Sequence, residues 1–329
     1  MKPNDHVLRY LALAYACSWS VSGIGIALGV RADSGFSYMV VAGIAMLGPA
    51  LAAIVLQRWV DRAPFAELGL RLPGTRWPIV VLTALLGMLI LPTTLLVQEA
   101  MGDGAGIAAF GTVNMSSDAM IANVRELAGD TLPAASLERQ LGLLERFPPV
   151  LILVMVLLAS VLGAVSFNLP FMLGEELGWR GYLWHHLSHW TGLQRVLFTG
   201  VVWGFWHAPM IAVGHNYPGH PIAGIGMMVL LCLSMSVLFD WTRTHSGSVW
   251  SSALLHGIIN GSAGASLLFA HGGHPLVGSV AGLAGVLALL VMGAAVLLLD
   301  ARYRRRFFHA PEEAQPSTTT ISWSSQRTT

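Results

Sequence analysis

Charged residues are scarce in this chain: Lys, Arg, Asp and Glu together make up 11% of its 329 residues, against roughly a quarter in soluble domains. That scarcity excludes an ordinary solvated surface. Cysteine is nearly absent as well, and Cys17 and Cys232 both fall within apolar runs, which excludes a disulfide framework and a zinc cluster built on thiolates. The net charge of +1 says little about partners, and no nucleic acid is expected among them.

Apolar residues are abundant, at 54% of the sequence. Runs of about 20 of them, each long enough to cross a roughly 30 Å hydrocarbon core, occur near 10–30, 38–60, 77–97, 149–173, 193–213, 222–241, 249–270 and 277–299. The expectation is an all-α polytopic bundle of about eight transmembrane helices, one unit over 1–309. The first run is too long for a signal peptide and lacks a clear cleavage site, so it reads as a retained span. In an eight-span arrangement Arg58, Arg62, Arg71 and Arg76 fall on the same side as Arg302, Arg304, Arg305 and Arg306. By the positive-inside rule that side is cytoplasmic, and so are both termini, in what reads as a bacterial plasma membrane. The segment 310–329, rich in Ser and Thr, reads as a disordered cytoplasmic tail.

Between the third and fourth runs, residues 99–146 carry seven acidic residues and three arginines, as expected of an external, partly helical loop. A solvated connector is the favoured reading over a substrate gate, because nothing there has the spacing of a site. Residues 149–186 read as continuously helical and would extend roughly 55 Å at 1.5 Å per residue, too long for one straight span. Pro170, after Asn168, supplies a kink, and the part beyond it is expected to lie tilted or partly re-entrant.

Within these apolar runs stand polar groups that a membrane interior penalises. Glu176 and Arg180 are four residues apart on one helix face and can pair, while Glu175 is turned about 100° away and has no local cation. Glu175 is thus the candidate general base for water. His207 follows Trp203 by one turn, with Gly200 and Gly204 offering a close-approach face. His256 and Asn260 share a face beside Gly257 and Gly261. Counted from the expected span ends, Glu175, His207 and His256 lie at depths of roughly 16, 20 and 12 Å, so one layer can hold all three. Glu175 taking a proton from water, His207 or a metal holding that water, and His256 with Asn260 donating to an oxyanion would amount to peptide-bond hydrolysis. No Ser-His-Asp set and no contiguous His-Glu-x-x-His is present.

The three motifs, Glu175-Glu176-Leu177-Gly178-Trp179-Arg180-Gly181-Tyr182-Leu183, Trp203-Gly204-Phe205-Trp206-His207 and His256-Gly257-Ile258-Ile259-Asn260, resemble the CPBP family of CAAX proteases and bacteriocin-processing enzymes in order and spacing. The matching core runs over about 149–269. The resemblance implies an intramembrane metalloendopeptidase acting on a membrane-associated or lipid-modified peptide. Glu175 is similar to its base, Glu176 and Arg180 to a supporting pair, His207 to the water- or metal-binding histidine, and His256 and Asn260 to the oxyanion or ligand set. Trp203 stands where the family commonly has Phe, a change expected to alter the size of the cavity wall more than its chemistry. A Zn2+ held by His207, His256 and Glu175 stays open beside a water held by histidine alone.

Two other function classes stand beside this one: a noncatalytic membrane scaffold or bacteriocin-immunity protein with the same bundle, and a proton-coupled transporter, against which no duplicated halves are apparent. The remaining histidines have simpler readings. His185, His186 and His189 are expected to meet headgroups at the cytoplasmic interface, and His215, His220, His271 and His274 to lie on external loops. Oligomeric state has no signature in the sequence.

Overall fold

A chain that spends most of its length in hydrocarbon must satisfy its backbone internally, and helices do so segment by segment. The computed structural model describes residues 3–129 and 133–310, so the expected tail falls almost wholly outside the described residues. Within them the regular structure is helical apart from a two-residue antiparallel pairing of Thr112–Val113 with Ala270–His271. The all-α polytopic membrane bundle is borne out.

In chain order α1 is Pro3–Ala27, α2 Phe36–Met46 and α3 Gly48–Val55, the last running into a π-helical turn, Leu56–Val60. Helix α4 is Trp77–Gln98, α5 Ser117–Ala128, α6 Ala134–Leu144 and α7 Pro149–Ala164. Helix α8, Leu169–Glu176, continues through a π-helical turn at Leu177–Leu183 into α9, Trp184–His186. Then follow α10 Gly192–Trp206, α11 Ala208–Ala212, α12 Pro221–Ser246, α13 Val249–Ser262, α14 Ser266–Phe269, α15 Leu283–Leu299 and α16 Ala301–Phe308.

Five helices among the described residues are long and apolar enough to cross a membrane, or up to seven if each of two sharply bent pairs is one span. The run expected at 193–213 is divided at His207 into α10 and α11. The long helix expected over 149–186 breaks at residues 165–168, ahead of Pro170 and not at it. Pro170 has no N–H to give the carbonyl of Ser166, so the helix cannot propagate across that turn. The Asn168 amide reaches back to Gly163 O at 3.1 Å instead.

Close approach is set by glycine. On α10, a Cβ at Gly200 would lie 2.6 Å from the Cα of Leu233, and one at Gly204 2.5 Å from the Cα of Val229, both on α12. Likewise a Cβ at Gly257 on α13 would lie 2.6 Å from the Cβ of Ala164 on α7. Both small-residue faces read from the sequence are therefore helix contacts. Gly204→Leu is expected to push α10 from α12 at a cost of at least about 1–3 kcal/mol, read as a lowered melting temperature in detergent. An unchanged melting temperature would show that the two helices tolerate separation.

Segment 99–146 differs from a solvated connector. Met120 on α5 is fully buried, Asn123 Nδ2 donates to Leu268 O at 3.2 Å, and Gln98 Nε2 donates to Phe110 O at 3.1 Å. The segment is docked over the end of the bundle through these bonds and the strand pair. At the opposite end Arg76, Arg302, Arg305 and Arg306 border one cavity of about 420 Å³, so the two basic segments meet on one face. There α16 lies at 106° to α15 and buries Tyr303 and Phe307 while leaving its arginines exposed, the pattern of an interfacial helix.

Candidate active site

The widened turn after Glu176 places the acidic pair and Arg180 differently with respect to the bundle. Glu175, Glu176 and Arg180 are all buried, at 2%, 0% and 3% exposure. Arg180 Nη1 donates to Glu176 Oε1 at 3.2 Å, and its guanidinium lies between the Trp203 and Phe239 rings, 4.2 and 4.1 Å from their centroids. His256 Nδ1 reaches the same Glu176 oxygen at 2.9 Å. A carboxylate oxygen shared by a guanidinium and an imidazole is fixed in place, so Glu176 is an anchor behind the site.

Glu175 faces the other way, into a cavity of about 370 Å³ that is also lined by His207, His256 and Asn260. Its Oε2 accepts from the Trp203 indole Nε1–H at 2.8 Å. The three groups expected to share a layer, together with Asn260, thus border one space, while Glu176 and Arg180 support it from outside the lining.

The tautomers follow from the acceptors. His207 Nδ1 lies 2.9 Å from Trp203 O, and His256 Nδ1 2.9 Å from Glu176 Oε1. Neither oxygen can donate, so both Nδ1 atoms carry hydrogen, and Nε2 is left on each ring for other chemistry. His207 owes its position to the break between α10 and α11, where Pro209 occupies the first turn of the new helix. Asn260 is less constrained, its Nδ2 donating only to Met172 Sδ at 3.4 Å.

Three residues emerge that sequence reasoning placed elsewhere or undervalued. His215 lines the cavity, its ring parallel to that of His207 at 6.4 Å, and its Nδ1 lies 2.5 Å from the Tyr38 hydroxyl. It lies on the expected loop, between α11 and α12, but its ring turns into the cavity; the partner sits 177 positions away in the chain, beyond any local pattern. Tyr38 lines the same cavity. Trp203 does more than set the width of the wall, because phenylalanine at this position has no N–H to give Glu175.

The donor chemistry of Glu175, His207 and His256 suits a catalytic zinc, and each imidazole gives its Nδ1–H to an oxygen, as metal-binding histidines do. Their ligand atoms do not all lie within 4.8 Å of one another, however; among the described residues only His6, Asp61 and His186 form such a group.

Residues 147–262 match the family model described as Rce1-like, type II CAAX prenyl endopeptidase Rce1-like. The matched span, about a third of the chain, contains all six motif residues and supports the CAAX protease resemblance that they carry. No curated protein matches the chain.

Proposed function

We propose that this CAAX-protease-type membrane protein is an intramembrane endopeptidase in which Glu175 activates the attacking water. The observation that carries the reading is the division of labour between neighbouring glutamates: Glu176 is consumed by Arg180 and His256, while Glu175 is presented to a cavity with two imidazoles and an amide. In the reaction Glu175 takes a proton from water, and His207 Nε2 orients that water against the scissile carbonyl. The Asn260 amide donates to the oxyanion as it forms. Protonated, His256 donates from both ring nitrogens, one to Glu176 and the other to the same oxyanion. The proton held by Glu175 then passes to the leaving amine. A Zn2+ at the cavity would instead be held by Glu175, His207 and His256 and would supply Lewis-acid polarisation of the carbonyl.

The substrate is a membrane-associated or lipid-modified peptide entering from the cytoplasmic face, which we assign to the end of the bundle where the arginines cluster. Incubating the purified protein in proteoliposomes with a membrane-peptide library and reading new termini by mass spectrometry tests this. Cuts made by wild type and absent with Glu175→Gln support it, and an identical peptide profile from both proteins rejects it.

Trp203→Phe tests the positioning of the base. It deletes a hydrogen bond to a charged acceptor worth about 1.5–3 kcal/mol, so kcat is expected to fall roughly 10- to 100-fold with the protein still folded. An unchanged kcat would mean that the cavity wall alone orients Glu175.

A further inference from the structure

The group His6, Asp61 and His186 lies apart from the cavity just described, since none of the three lines it. It joins three distant parts of the chain: the first turns of α1, the residue after the π-helical turn that ends α3, and the last residue of α9. One ligand atom from each lies within 4.8 Å of the others. His6 Nδ1 is 2.8 Å from Asp61 Oδ1, and His186 Nε2 is 3.5 Å from Asp61 Oδ2. The two imidazoles stack at 4.7 Å with their planes 16° apart. His186 was expected to meet headgroups; it is turned inward onto a carboxylate.

Proximity here is not hydrogen bonding. His6 Nδ1, Asp61 Oδ1 and His186 Nε2 are each shielded from solvent, and none makes a hydrogen bond of sound geometry. Buried polar atoms normally find a partner, so three that converge unsatisfied call for one. Neither ring nitrogen directs an N–H along its contact with the carboxylate, and protonating both rings would stack two like charges face to face. A single cation bound by the two nitrogens and the carboxylate gives all three atoms a partner. The carboxylate is also held from behind, because the Tyr182 hydroxyl donates to Asp61 Oδ2 at 2.7 Å. That is the outer support typical of metal ligands.

The geometry points to a divalent transition-metal site at His6, Asp61 and His186, with Zn2+ as its natural occupant. Two imidazoles and a carboxylate are borderline donors that suit zinc and leave its fourth position to a small ligand such as water. The metal clamps the start of α1 and the end of α3 to the helix that carries Glu175, Glu176 and Arg180. It acts as a structural pin on that helix and takes no part in chemistry at the cavity, so it stands whether or not the protease reading does.

The test uses the full chain in detergent with a non-histidine affinity tag, in a His207→Ala background that removes any metal held at the cavity. After chelation, zinc is titrated and the bound metal is measured by mass spectrometry; cobalt is added in parallel and its visible absorption recorded. The His207→Ala protein is expected to hold one zinc per chain, with a raised melting temperature. Adding His6→Ala or Asp61→Asn is expected to weaken binding by more than the roughly 10- to 100-fold typical of outer-shell changes. Because alanine could disturb the fold, His6→Cys serves as the second variant: it should keep the metal and add a thiolate-to-cobalt charge-transfer band. Absence of bound zinc in the His207→Ala protein, binding indifferent to His6 and Asp61, or a cobalt spectrum unchanged by His6→Cys would each overturn the assignment.

Discussion

Glu175→Gln is expected to reduce peptide cleavage by about 10²–10⁴-fold while leaving the melting temperature within experimental error. The substitution is nearly isosteric, and its amide oxygen still accepts from Trp203 Nε1, so the 2.8 Å contact that locates the side chain survives. Only the capacity to take a proton is lost. The neighbouring substitution gives the contrast: Glu176→Gln removes the charge that holds Arg180 and His256, so it should cost stability and activity together. Equal melting temperatures of the two variants would contradict the division of roles between the adjacent glutamates.

Asp240→Ala is expected to be the most destabilising single substitution away from the cavity, at about 3–5 kcal/mol, because it strands a buried guanidinium. Asp240 Oδ1 accepts from Arg195 Nε at 2.7 Å and from Trp184 Nε1 at 3.0 Å. Its Oδ2 accepts from Arg195 Nη2 and the Tyr303 hydroxyl, each at 3.0 Å. One carboxylate on α12 thereby ties α9, α10 and the interfacial helix α16. Arg195 is 5% exposed and would be left without a counter-charge. Thermal unfolding in detergent measures the loss, with Tyr303→Phe as a milder comparison at about 1 kcal/mol. If Asp240→Ala melts no earlier than Tyr303→Phe, water reaches Arg195 and the network is not sealed.

What could be read in advance follows periodicity. The i,i+4 relations of Glu176 with Arg180 and of His256 with Asn260, and the glycine faces on α10 and α13, are properties of a single helix and were legible from spacing alone. The divergence of Glu175 from Glu176 was legible for the same reason. Four features were not. The Trp203 bond to Glu175 crosses 28 residues, the Tyr38 contact to His215 crosses 177, and no local pattern encodes which helices become neighbours. The docking of α5 was hidden because the acidic composition of 99–146 reflects its exposed side, while Met120, Asn123 and Ala128 carry the buried side of α5. The break at 165–168 was displaced from Pro170 because a proline disrupts the turn preceding it, where its missing donor is needed.

The π-helical turn at Leu177–Leu183 has a consequence for chain length. Such a turn accommodates one residue more than an α-helical turn, so it acts as a spacer between two registers. Removing that one residue would close the turn to ordinary α geometry with the registers on both sides kept, so His186 would stay facing Asp61 and Trp184 facing Asp240. A residue removed from the α-helical stretch Leu169–Glu176 meets no such slack and would rotate the helix on one side of the cut by about 100° relative to the other. In this helix a one-residue deletion is therefore absorbed in the wide turn and is a grave lesion just upstream of it, where it uncouples the end that enters the bundle from the end that Asp61 and Asp240 fasten.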